Sequence, residues 1–198
     1  MENLINLSLQ PFLFNYSLLP ATELEEAMVQ NHLSSFDSYQ EYTMVVISET
    51  VKLVKNQNQS FLSLLNINYI FKELKIPQNI QEQCIYEVIG LTELRKDYGR
   101  VLIRPETIAD KIAEIFEQVE LDFDTDKEFS RKYYVLSNNE SKFRMQVTTS
   151  FLNCIAKFDN LEIEINKTIL IVRTRKPFSS EITKTIADFL VEINNGLN

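Results

Sequence analysis

The chain has no tryptophan, one histidine, two cysteines and three glycines among 198 residues. Each shortage closes off a kind of chemistry. Gly90, Gly99 and Gly196 stand alone, so there is no G-x-G-x-x-G turn, P-loop or nucleophile elbow, which need glycines at fixed spacing. Any mechanism that requires a histidine base has only His32 to draw on. Cys84 and Cys154 lie 70 positions apart and form no C-x-x-C motif,. Both occupy apolar stripes, where cysteine behaves as a small hydrophobe. They read as reduced core thiols of a cytoplasmic protein.

Long apolar runs are also missing. Nothing approaches the roughly 18 residues of a membrane-spanning helix. The opening Met1-Glu2-Asn3-Leu4-Ile5-Asn6 puts an acid where a secretory leader needs a base,. No membrane association is expected. The 44% hydrophobic and 24% charged content is that of an ordinary globular chain,.

Positive charge is in deficit, with 20 Lys and Arg against 28 Asp and Glu, a net −8. Residues 1–99 hold 6 bases and 12 acids, and residues 100–198 hold 14 and 16. Such a chain repels phosphate backbones unless its bases gather on one face. Nucleic-acid binding is disfavoured.

Residues 4–19 alternate at Leu7, Leu9, Phe12 and Phe14 and suggest extended structure,. Thr22 and Glu25 form a capping box for a helix to about Leu33. Residues 39–54 fit either a strand or a helical face through Tyr39, Thr43, Val46, Val51 and Val54, and the helix is preferred. Ser60 is read as the cap of a helix carrying Phe61, Leu64, Leu65 and Ile67. Residues 78–95 are read as another, with Ile80, Cys84, Val88 and Leu91 on its apolar face,.

Beyond a turn at Asp97-Tyr98-Gly99, the pattern predicts a strand at 100–104 and a helix after Pro105 through Ile108, Ile112, Ile115, Phe116 and Val119. A strand at 133–137 and a helix from Asn139 to Phe158 follow. A hairpin at 161–165 and 169–174 leads into a last helix carrying Ile186, Phe189 and Ile193. The expected fold class is α+β. Residues 1–99 form a mainly helical region with an extended N-terminal segment, and residues 100–198 a β-α-β-β-α layer, with one continuous domain as the alternative.

Three clusters are candidates for function. Asp122, Asp124 and Asp126 have the 1-3-5 acid spacing of a calcium loop, but Lys127 replaces the turn glycine and Tyr133 the bidentate glutamate,. With Glu128 they make an acidic docking or weak divalent-metal patch. Arg131, Lys132, Arg173, Arg175 and Lys176 make a candidate basic patch, with Phe129, Tyr133, Tyr134 and Phe178 as stacking surfaces. Asp159, Glu162 and Glu164 invite comparison with metal nucleases. No lysine stands two positions beyond either glutamate, so both read as the wet face of a strand.

The inventory favours a non-enzymatic protein-interaction or regulatory module with an unknown protein partner and no cofactor. The alternative is a carboxylate-based enzyme, with or without a divalent metal, or a small-ligand-binding domain. A homodimer formed by strand addition at an open sheet edge is a further expectation.

Overall fold

The computed structural model describes residues 4–9, 17–40, 44–55, 58–70, 82–105, 119–121, 123, 126–174 and 176–196. Nine strands form one sheet. They are β1 (Ser17–Pro20), β2 (Met44–Lys55), β3 (Asn58–Ile70), β4 (Glu82–Glu93), β5 (Arg100–Pro105), β6 (Val119–Leu121), β7 (Tyr133–Ser137), β8 (Glu162–Asn166) and β9 (Ile169–Arg173). Their order is β1-β2-β3-β4-β9-β8-β5-β7-β6 and every pairing is antiparallel. The first four strands and the last five lie in separate blocks. They meet at one seam, where Ile89 to Glu93 of β4 pair with Arg173 to Ile169 of β9. The sheet therefore runs unbroken across residue 99.

Among the described residues seven helices cover its two faces. They are α1 (Leu4–Leu9), α2 (Glu23–Leu33), α3 (Asp37–Gln40), α4 (Lys127–Lys132), α5 (Glu140–Gln146), α6 (Thr149–Ala156) and α7 (Ser180–Gly196). On the first face, α7 sets Ile186, Phe189, Leu190 and Ile193 against Leu62, Leu64, Val88 and Val172. Ile5, Phe129, Phe143 and Phe151 extend that core from α1, α4, α5 and α6. Among the described residues the second face carries α2 and α3, and Val29, Leu33, Tyr39 and the intervening Phe36 pack on Phe61, Leu65, Ile67, Ile89, Leu91 and Ile171. No helix among the described residues is long and apolar enough to cross a membrane.

The mainly helical first half is overturned. Residues read as helices at 39–54, 60–71 and 78–95 hold the long strands β2, β3 and β4. The cause is burial on both sides. Ser60 to Leu65 of β3 and Glu87 to Thr92 of β4 are all buried, because α7 covers one face and α2 the other. Strands buried on both faces lose the alternation that marks them. Ser60 caps nothing. It lies in the sheet, accepting a hydrogen bond from the Asn194 amide at 2.8 Å and donating to Thr92 at 3.0 Å.

In β2 the register shifts between Ile47 and Glu49. Val45 and Ile47 pack towards the second face, whereas Val51 and Leu53 enter the first-face core. Ser48 is the extra residue of a β-bulge, which moves every later side chain to the opposite face.

The extended reading of residues 4–19 is corrected for Leu4–Leu9, which are helical, while Ser17–Pro20 are a strand. Of the helix expected from Glu106 to Val119, residues 106–118 lie outside the described residues, and Val119 is corrected, since it opens the strand β6. The single helix expected from Asn139 to Phe158 is two, because Val147 is extended (ψ 138°) and Thr148 restarts the helix by accepting from the Phe151 N–H at 3.2 Å. The α2 capping box, the strand at 133–137, the hairpin and the last helix form where the pattern places them.

Candidate functional site

The second face holds two adjoining features, a buried ionic network and a pocket. The network begins at the seam. Register places Arg173 opposite Glu162, and its guanidinium donates to Glu162 Oε1 from Nε at 2.8 Å and from a terminal nitrogen at 2.5 Å. Arg104 of β5 approaches the other Glu162 oxygen at 3.3 Å. Arg173 also lies 3.7 Å from Glu87 Oε1, which accepts from the Tyr39 hydroxyl at 3.0 Å. The guanidinium stands over the Tyr39 ring, 4.8 Å from its centre, a stacking that suits a delocalised cation.

Glu164 completes the arrangement. It accepts from the backbone N–H groups of Asp37 and Ser38 at 3.0 and 3.2 Å and from Ser38 Oγ at 2.7 Å. Arg100 pairs with Asp37 and lies 3.6 Å from Glu164. These contacts fasten α3, and with it the end of α2, to the sheet. Glu162 and Glu164 are only 2% and 3% exposed, so the wet-face reading is wrong. Strand alternation does point them away from the first-face core, but α3 covers the other side.

The pocket lies beside this latch and encloses about 520 Å³, within the ~300–1,000 Å³ range of small-molecule sites. Its floor is Phe61, Leu91 and Ile169 from β3, β4 and β9, and its roof is Met28 and His32 from α2. Gln59, Glu93 and the turn Asn166-Lys167-Thr168 supply polar groups. Glu93, Gln59 and Lys167 are exposed while Phe61 and Leu91 are buried, so the mouth is polar and the depth apolar. Lys167 holds a left-handed backbone (φ 59°), tied down by its N–H to Gly99 O at 2.7 Å and by Tyr98 N–H to its own carbonyl at 3.0 Å.

Among the described residues, the members of the clusters expected from sequence lie in separate places. Asp126 is buried and caps α4 by accepting from the Phe129 N–H at 3.2 Å. Glu128 is exposed and 3.9 Å from Lys132. Asp122 and Asp124 lie outside the described residues. Among the described residues no three of His, Cys, Asp and Glu are grouped to hold a metal ion. Of the basic patch, Arg173 is internal on the second face, whereas α4 carries Arg131 and Lys132 on the first. Lys132 donates to Ala156 O at 2.7 Å and pairs with Asp159 at 3.0 Å. Lys176 is exposed, and Arg175 lies outside the described residues.

Cys154 is a free thiol in the first-face core, on the other side of the sheet from His32. Burial, with a smaller effect from the Glu192 charge, pushes its thiol up to about 12. A Cys154–His32 nucleophile is thereby excluded. Of the pocket residues the sequence singled out only His32. Lys167 and Glu93 gave no signal, because three strands and a helix distant in sequence build the site.

No family model and no curated protein matches this chain. Its fold is similar to that in the crystal structure of the mycobacterial trehalose monomycolate transport factor A, TtfA, with a TM-score of 0.50 over 98% of this chain and 92% of that one. At 8% identity the likeness concerns the fold alone.

Proposed function

We propose that the chain is a non-enzymatic binding protein and that the pocket between α2 and the sheet receives a small molecule. This keeps the non-catalytic role favoured by the residue inventory and takes the small-ligand alternative for what is bound. One observation carries the reading. On this face Arg100, Arg104, Arg173, Asp37, Glu87, Glu162 and Glu164 are consumed in the latch, whereas Glu93, Lys167 and the His32 ring form no ion pair or hydrogen bond with described residues. Polar groups held around an apolar floor and left unused by the fold are what a binding site requires. No described thiol or carboxylate is hydrogen-bonded to the His32 ring, so the site lacks the partner that would activate a nucleophile.

The test is methyl and imidazole NMR of the full chain titrated with a set of neutral apolar fragments. Shifts should gather at Met28, Leu91, Ile169 and the His32 ring, and should vanish in a Met28→Trp variant that fills the roof. Fragments that shift other regions, or shift nothing, overturn the proposal.

A second reading keeps a macromolecular partner, and the edge of β2 favours it. β1 pairs only with Val51 to Val54, so among the described residues no strand covers Met44 to Glu49 on that side. Met44 and Val46 are exposed. An open apolar edge invites an added strand, from another protein or a second copy. Sedimentation velocity tests the homodimer form. A dimer that a Val46→Lys change dissociates supports it, and a monomer at high concentration removes it.

A further inference from the structure

Resting on the pocket reading above, we infer that the ligand is an apolar zwitterion of the α-amino-acid class, carrying an ammonium and a carboxylate on one carbon and an apolar side chain.

The register orders the floor in two rows. Phe61 stands opposite Leu91 and Leu91 opposite Ile171, an apolar row covered by α2. One row towards the mouth, Glu93 stands opposite Ile169, and the turn with Lys167 follows directly. One acid and one base therefore share the mouth without pairing to each other. Lys167 reaches no salt bridge among the described residues. Its charge adds weakly to the field at Asp97, whose direct partner is Lys142 at 2.7 Å.

The two charges select against simpler ligands. A carboxylate without an ammonium would meet Lys167 favourably but Glu93 unfavourably, and a bare cation would meet the reverse. A neutral apolar molecule would gain from the floor and nothing from the mouth. Only a ligand with both charges at one end satisfies both residues while its side chain lies on Phe61 and Leu91, and discrimination arises as much from the penalties as from the attractions. The backbone of the turn that carries Lys167 is set before any ligand arrives. It is fixed by Lys167 N–H to Gly99 O, Tyr98 N–H to Lys167 O and Leu94 N–H to Thr168 O at 2.7, 3.0 and 2.6 Å. A preorganised group costs less to use in binding. The carboxamides of Gln59 and Asn166 provide neutral donors and acceptors beside it.

The experiment is calorimetry, with methyl NMR to locate binding, on the full chain with four probes. These are L-phenylalanine, N-acetyl-L-phenylalanine (no ammonium), L-phenylalaninamide (no carboxylate) and neutral 3-phenylpropanol. L-phenylalanine should bind at least tenfold more tightly than each of the others. Glu93→Gln should weaken L-phenylalanine and the amide about tenfold and leave the acetyl compound unweakened. Lys167→Gln should weaken L-phenylalanine and the acetyl compound and leave the amide unchanged. Both residues are exposed, so neither change threatens folding. If all four probes shift Leu91 and Ile169 with equal affinity, the zwitterion assignment falls and the pocket reading stands. If none of them shifts those methyls, both fall.

Discussion

Glu164 of β8 holds Ser38 of α3 by two bonds, one from its backbone N–H at 3.2 Å and one from its hydroxyl at 2.7 Å. A strand carboxylate thus caps a short helix that precedes it by well over a hundred residues, and α2 and α3 are joined to the sheet by charge as much as by apolar packing.

Removing one side of this latch should be costly. Arg173→Met leaves Glu162 buried without its principal partner, and breaking a buried pair costs about 3–5 kcal/mol. The double variant Arg173→Met with Glu162→Leu should recover part of that loss, because the two strongest partners leave together, while Arg104 and Glu87 each still lose one charge partner,. Urea unfolding of the two singles and the double gives the coupling energy. Losses that simply add would show that the pair is not coupled.

Gly90 sits where α7 comes closest to β4. A Cβ at that position would lie 2.7 Å from Ile186 Cγ2 and 2.9 Å from both Leu190 Cδ1 and Val172 Cγ1. Gly90→Ala should therefore destabilise by about 1–3 kcal/mol, the usual cost of overpacking, although alanine is otherwise the better-ordered residue. Thermal and urea unfolding check the sign.

Cys154 should stay unmodified by iodoacetamide at pH 8 in the native protein, since its thiol is pushed up to about 12 and only the thiolate reacts. Residue-resolved mass spectrometry should find it alkylated only after denaturant unfolds the chain. Rapid native labelling would contradict the buried placement.

Acid should release specific contacts. Lys52, 2.5 Å away, and the Thr22 N–H lower the Glu25 carboxyl below its ordinary value of 4.5. A lowered carboxylate stabilises the fold above its unfolded value, and that stability is lost as pH falls through the folded one. Glu49 runs the other way, because burial raises it despite N–H bonds from Leu4 and Ile5. Its contribution is present below 4.5 and lost as pH rises. Glu25→Gln should therefore flatten the loss of stability below pH 4.5, and Glu49→Gln should be better tolerated at pH 7 than at pH 4. Urea midpoints measured across this range decide both.

Local signals in the sequence proved legible and long-range ones did not. The Thr22–Glu25 capping box, the 161–174 hairpin and the apolar stripe of α7 each rest on residues a few positions apart. β3 and β4 were hidden because α2 and α7 bury both of their faces. β2 was hidden because the Ser48 bulge breaks its alternation, so that Val46, Val51 and Val54 imitate helical spacing. Glu162 and Glu164 read as wet in the sequence because their cover, α3, comes from far upstream. The pocket drew Lys167 and Glu93 together by the same long-range route, and only His32 stood out beforehand, through rarity.

The seam between β4 and β9 has a further consequence for how the chain is made. About 80 residues separate Glu93 from Arg173, which at ribosomal rates of ~5–20 residues per second is a delay of roughly 4–16 s. During that interval the first four strands exist while the natural neighbour of β4 does not. A stray apolar strand that docked beside β4 would cover Glu87 without bringing the guanidinium of Arg173. In the finished sheet β9 brings Arg173 to 3.7 Å from Glu87, so the last strand of the seam arrives with a counter-charge as well as an apolar row.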